Sequence, residues 1–307
     1  MIAILSALAP LFLITAIGYA LASLKFGGDE MWHALDHITF YLFFPALLVK
    51  TLMRADLGSV PARDFVFVSF GSVTIMSGAL LAAYLLLKQP VSGPLFTSFF
   101  QGVVRFQSTI TVAIAAALFG ERGLTLAALS VASIVQPVQL YTVLALLIFG
   151  QGNGEIRPLL ILRRLAANPL TLACALGLTL NFTGAPSFIY DSFSVLGAAA
   201  IALTLLAVGA GLELSSVRAA RNLVALNMAL RLIGMPLLVF GLCRLAGLSG
   251  LPRMVAVIAA ATPTAPTAYT MARKMGGDAE LMAQIITFQS IASMATLPLF
   301  IWLAQSS

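Results

Sequence analysis

Arg105, Gln107, Ser108, Thr109 and Thr111 crowd into one otherwise apolar stretch of the chain, and Thr262, Pro263, Thr264, Pro266 and Thr267 crowd into another. If both stretches lie in hydrocarbon, their chemistry is that of anion binding. A membrane-embedded arginine costs between about 2.5 and 17 kcal/mol, depending on how its surroundings relax, so it normally has a partner or lines a pathway. No Asp or Glu shares the span of Arg105, and an anionic solute is one natural partner. In the second stretch each proline removes a backbone donor and costs a helix interior roughly 3 kcal/mol. A span broken there leaves a half-helix whose start presents free N–H groups and the positive end of its dipole. Proline suits such a first turn, and the hydroxyls of Thr262, Thr264 and Thr267 lie at the same depth. Together they form an uncharged cradle for a negative group.

Blander readings stand beside this one. Two prolines in a membrane helix can produce a plain kink, Arg105 can snorkel to an interface, and Ser and Thr often bond their own backbone or a neighbouring helix. Coincidence favours function, because the two polar interruptions fall at corresponding places in two halves of the chain.

The elements that position these residues follow from composition. Of 307 residues, 60% are hydrophobic and 9% are charged, and the mean hydropathy is +1.02. A soluble domain carries about 25% charged residues to face water. The apolar runs 2–22, 65–87 and 223–242 reach the ~20 residues that cross a bilayer. The chain is therefore an all-α polytopic membrane protein. Its first run has no Lys or Arg before Lys25 and exceeds the ~7–15 apolar residues of a signal peptide, so it reads as the first span. Cutting at polar breaks predicts about ten spans, near 2–24, 33–53, 64–87, 95–118, 123–149, 159–181, 192–212, 220–246, 252–274 and 280–304.

The polar linker 150–158 divides the chain into 1–149 and 159–307. Pro10 and Gly18 echo Pro169 and Gly177, while Gly120, Leu124, Ser133 and Leu140 echo Gly277, Leu281, Ser290 and Leu297. Near-constant offsets of this kind suggest two five-helix repeats. An odd number of spans per repeat makes the second inverted, which is a recurring transporter architecture. With the N-terminus outside, Lys25, Lys88, Arg157, Arg163, Arg164, Arg218, Arg221, Arg273 and Lys274 face the cytoplasm, and Arg54, Arg63, Arg122, Arg244 and Arg253 face outward. The excess predicts both termini outside. It also accounts for a pI near 9.7 without nucleic acid.

Weaker candidates are Gln136, Pro137 and Gln139 in span five, Gln289, Ser290 and Ser293 in span ten, and Asn227 with Arg231, which share a face of span eight. Each taken alone fits interhelical hydrogen bonding. His33, Asp36 and His37 fit a proton relay or a solvated helix end, the latter better. Lys50 and Arg54 fit snorkelling. Absences narrow the class. The chain has no G-x-x-x-x-G-K-[ST] loop and no soluble domain for ATP, which excludes a self-contained pump. It has no H-E-x-x-H cluster for a metalloprotease. Cys174 and Cys243 both fall in apolar helices and imply neither a disulfide framework nor a metal site. No cofactor is called for, and no enzyme is indicated.

Three stretches, TFYLFFPALLVKTL at 39–52, RFQSTITVAIAAALFG at 105–120 and TPTAPTAYTMARKMGGDAELMAQIITFQS at 262–290 followed by MATLP, resemble the auxin efflux carrier family. That family includes the plant PIN-formed carriers and bacterial relatives of malonate or auxin type. The resemblance runs through the whole chain in order. It implies ten helices in two inverted repeats, a fold akin to bile-acid sodium symporters and sodium/proton antiporters. Spans one, two, six and seven would form a scaffold, and spans three to five with eight to ten a transport domain. Broken spans four and nine would cross where the substrate carboxylate binds. Pro263 and Pro266 match the ninth-span break. The fourth span has no proline here, and Gln139 stands near Pro137 where the family often has asparagine. A homodimer is a further implication.

The expected function is export of a small organic anion, an auxin-like or dicarboxylate compound, by alternating access across a bacterial-type inner membrane. The expected site is Arg105, Gln107, Ser108, Thr109, Gln139, Thr262, Pro263, Thr264, Pro266, Thr267 and Ser290, and the other expected partners are membrane lipid and a second copy of the chain. Alternatives are an Na⁺- or H⁺-coupled organic-anion symporter and a membrane receptor that binds without transporting.

Overall fold

A computed structural model of the chain describes residues 2–86, 91–151, 166–212 and 221–306. Most of the 150–158 linker, the start of span six, and Lys88, Arg157, Arg163, Arg164 and Arg218 lie outside the described residues. Within them the protein is all helical: α1 (Ile2–Ser23), α2 (Gly28–Met53), α3 (Ala62–Leu86), α4 (Gly93–Val104), α5 (Ser108–Phe149), α6 (Pro169–Thr183), α7 (Ser187–Ala210), α8 (Arg221–Leu245), α9 (Gly250–Ala261), α10 (Thr267–Met275) and α11 (Ala279–Ser306).

Among the described residues, seven stretches are long and apolar enough to cross a membrane, and Pro169–Thr183 and Gly250–Ala261 are shorter apolar helices. One of the seven, Gly93–Phe149, has 57 residues. At 1.5 Å per residue it would reach about 86 Å as a straight helix, nearly three times the ~30 Å of hydrocarbon. It is interrupted twice instead. The backbone is extended at Arg105 and Gln107, and it turns at Gly120, whose φ of 59° and ψ of −145° suit only glycine. Beyond that turn, a Cβ on Gly123 would meet the Ala115 carbonyl oxygen at 2.3 Å, so the chain doubles back tightly on itself. The expected separation of spans four and five therefore falls at Gly120.

Helices α1, α2, α6 and α7 pack on one another, while α3, α4, α5, α8, α9, α10 and α11 form a second mutually packed set. Both α5 and α11 touch members of the first set. Close backbone approach holds α1 against α7: a Cβ on Gly18 would lie 2.2 Å from the Leu206 carbonyl oxygen, and one on Gly209 would lie 1.9 Å from that of Thr15. Small residues of this kind let membrane helices gain dispersion contact where lipid offers no hydrophobic drive. The end of α2 is tied by Asn181, whose amide donates to the carbonyls of Leu52, Met53 and Ala55 at 3.0, 3.1 and 3.0 Å.

Two helices widen into a single π turn, α2 at Thr39–Phe43 and α8 at Leu230–Gly234. Each is followed by a proline at the same spacing, Pro45 and Pro236. A proline ring has no N–H to give and crowds the carbonyl one turn back, and a locally wider turn relieves both problems.

The outlying charges resolve individually. Lys50 does not merely snorkel, because it pairs with Glu121 at 3.2 Å. Arg54 lies over the Tyr190 ring, 3.5 Å from its centroid. His33, Asp36 and His37 sit on a stretch of α2 with no buried residue. Gln136 bonds Thr171 and so joins α5 to α6.

Candidate functional site

Helices α4 and α9 each run 12 residues, about 18 Å, and stop too early to cross hydrocarbon. After α4 comes the extended Arg105–Gln107 link, and then α5. After α9 comes Thr262–Pro266, and then α10. The two breaks are in contact. Thr264 Oγ1 donates to the Gly102 carbonyl at 2.6 Å, Thr111 Oγ1 reaches Thr262 Oγ1 at 3.5 Å, and Arg105 Nη2 donates to Thr267 Oγ1 at 3.1 Å.

A broken helix frees carbonyls on one side of the gap and N–H groups on the other, and hydrocarbon satisfies neither. On the carbonyl side, side chains of α8 and α11 take over. Asn227 Nδ2 donates to the Phe99 carbonyl at 2.7 Å. Gln289 Nε2 donates to the Gly102 carbonyl at 2.9 Å and to Asn227 Oδ1 at 2.7 Å, and its Oε1 accepts the Thr264 N–H at 2.8 Å. Arg231 donates from Nε to the Thr262 carbonyl at 2.8 Å, and from Nη1 and Nη2 to Val103 and Ala259 at 3.3 Å each. The negative ends of α4 and α9 thus converge on one guanidinium.

The N–H side is met only in part: at the start of α10 the Ala268 and Tyr269 N–H groups bond back to the Ala265 and Pro266 carbonyls at 3.0 Å each. Gln107 precedes α5 and Pro266 precedes α10, and neither gives its helix a side-chain cap. Thr111 N–H bonds back to the Gln107 carbonyl at 3.1 Å, so Ser108, Thr109 and Ile110 are the first-turn donors with no partner inside the helix. The Thr109 hydroxyl is shut away from solvent and has no partner among the described residues. Beside these ends lies Arg105, half-buried. Its other contact, from Nη1, is to Met271 Sδ at 2.7 Å, a weak acceptor. Lys50 and Glu121 form an ion pair elsewhere in the molecule, and among the described residues no carboxylate bonds Arg105.

The expected residues therefore divide. Arg105, Ser108, Thr109, Pro266 and Thr267 gather at the two helix starts, with Gln107 buried at the position before α5. Thr262 and Thr264 are buried on the carbonyl side, and their hydroxyls donate to Ala259 at 2.9 Å and to Gly102. Pro263 is buried between them. Ser290 bonds back to Ile286 at 2.7 Å. Gln139 is half-buried in α5, and among the described hydrogen bonds only its carbonyl takes part, accepting from Thr142 at 3.2 Å.

Asn227, Arg231 and Gln289 matter more to the geometry than their sequence context suggested. An arginine spaced four residues from an asparagine on an apolar helix was the available signal.

Comparison with known proteins agrees with this architecture. Residues 3–301 match the model of a family described as membrane transport protein. The chain belongs to that family. The auxin efflux carrier resemblance of its motifs is thereby borne out. A relative from the archaeon Methanothermobacter thermautotrophicus, described as an uncharacterized transporter, is 25% identical over 288 residues, covering 94% of each chain. The protein is a multi-pass membrane transporter.

Proposed function

We propose that this transporter exports a small organic anion, a carboxylate of auxin-like or dicarboxylate type, bound where α5 and α10 begin. One observation carries the reading: Arg105 stands beside two helix starts that lack a side-chain cap, and among the described residues its guanidinium meets only a hydroxyl and a thioether. A cation placed near the positive ends of two dipoles is electrostatically disfavoured unless negative charge joins it. A carboxylate takes the guanidinium in bidentate fashion and accepts the first-turn N–H groups of α5. The unpartnered Thr109 hydroxyl offers one further donor.

The set of α1, α2, α6 and α7 serves as scaffold, and the remaining helices, related as inverted repeats, move as a transport domain in an elevator or rocking motion. The membrane is a bacterial-type inner membrane with both termini outside, and the unit is a homodimer. An inside-negative potential contributes about 2.3 kcal/mol per charge per 100 mV, which drives anion export without a coupled ion. The test is efflux of labelled carboxylates from proteoliposomes. Potential-driven flux that is lost in Arg105→Ala supports the reading, and no flux of any carboxylate overturns it.

A further inference from the structure

Arg231 is 1% exposed, and among the described residues it forms no ion pair. Its charge is instead met by three backbone carbonyls, those of Val103, Ala259 and Thr262, with Thr262 Oγ1 at 3.5 Å. All three carbonyls belong to the closing turns of α4 or α9, where unpaired C=O groups make a helix end negative. Carbonyl and hydroxyl oxygens converging from two such ends are the donor set that replaces the hydration shell of a small metal cation. Here a guanidinium fills it, with donors spaced widely enough to reach both helices at once.

We propose that Arg231 is a resident cation. It positions the crossing by holding the carbonyl ends of α4 and α9 together, and it occupies the place a coupling Na⁺ would need, so anion movement through this protein is independent of Na⁺. Two features of its surroundings fit that role. The guanidinium projects from the π turn of α8, a widening common at functional sites. Beside it lies a cavity with about 10 Å³ for the centre of a water molecule, lined by Ser69, Ser72, Phe106 and Ile134 among others. Truncating the side chain would enlarge this space enough for a small cation to enter.

The flux arm of the test rests on the carrier reading, whereas the melting arm does not. Wild type, Arg231→Ala, Arg231→Lys and Arg231→Met are purified in detergent and melted in sodium chloride, in choline chloride and with sub-denaturing guanidinium chloride. Wild type is expected to melt alike in sodium and choline. Alanine and methionine variants melt lower, and lysine falls between them and wild type. The alanine variant regains part of its loss with guanidinium or sodium, beyond the response of wild type itself, while methionine, uncharged and filling the gap, does not. In proteoliposomes, wild-type carboxylate flux is equal in sodium and choline, and Arg231→Ala regains flux when the same cations are added. Wild-type stability or flux that rises with sodium overturns the proposal. So does a methionine variant as stable as lysine, or an alanine variant that no cation rescues. If the alanine variant cannot be purified, the lysine and methionine pair and the wild-type series decide. A protein that moves no carboxylate at all would remove the carrier reading and leave the melting comparison standing.

Discussion

Thr264 and Gln289 lock the two broken helices together: Gln289 Oε1 accepts the Thr264 N–H at 2.8 Å while its Nε2 donates to the Gly102 carbonyl at 2.9 Å. Gly102 belongs to α4, Thr264 to the link after α9, and Gln289 to α11, so one buried amide joins three segments. Replacing Gln289 by alanine bares the Thr264 N–H and Asn227 Oδ1 and weakens the hold on Gly102. Each buried group left unpaired costs on the order of 1–3 kcal/mol. Gln289→Ala should lower the melting temperature in detergent and reduce flux together. A wild-type melt would show that the amide is dispensable.

Gly102 has no room for a side chain. A Cβ there would sit 2.8 Å from both amide atoms of Asn227 and from Ile285 Cγ2. Gly102→Ala should destabilise by about 1–3 kcal/mol through overpacking and disturb the network around Gln289. Gly78 in α3 meets nothing within 4 Å, so Gly78→Ala should be neutral or slightly stabilising, since alanine is the better helix former. Paired thermal melts check the contrast.

Asn181 supports a different part of the molecule. Its amide satisfies three carbonyls at the end of α2, remote in sequence from both breaks. Asn181→Ala should cost stability of about 1–3 kcal/mol yet leave the apparent affinity for any transported anion unchanged. Concentration dependence of flux, measured beside the melt, separates the two effects.

The legibility of the sequence differed between the two breaks and between their two sides. Pro263 and Pro266 announced the ninth-span break directly, because a missing N–H is a local property. The fourth-span break has no proline, and only a cluster of polar residues marked it. What ends α4 is distant in the chain: Asn227, Arg231 and Gln289 bind the carbonyls that the helix gives up. Spacing along one span cannot reveal a partner contributed by another, so these three looked like ordinary interhelical contacts. For the same reason Thr262, Thr264 and Thr267 read as one cradle, although the first two donate to carbonyls and only Thr267 meets Arg105. The apolar spans and the break between 118 and 123 were visible because hydropathy is intrinsic to the residues themselves.

Arg105 should also respond to how its charge is presented. Arg105→Lys keeps a cation but loses the planar fork that engages a carboxylate at two points, so it should raise the half-saturating anion concentration by roughly 10-fold, about 1.4 kcal/mol. Thr267→Val removes the hydroxyl that Nη2 engages and should have a smaller effect in the same direction. Titrating thermal stability against a carboxylate ligand checks both, because a ligand stabilises in proportion to its saturation.

The most direct measurement is efflux of a labelled carboxylate from proteoliposomes under an imposed inside-negative potential, for wild type and Arg105→Ala side by side. Wild-type efflux should accelerate as the potential grows, and the alanine variant, though folded, should show none above protein-free vesicles. Potential-independent efflux, or equal rates in the two proteins, would contradict anion export through the paired helix starts.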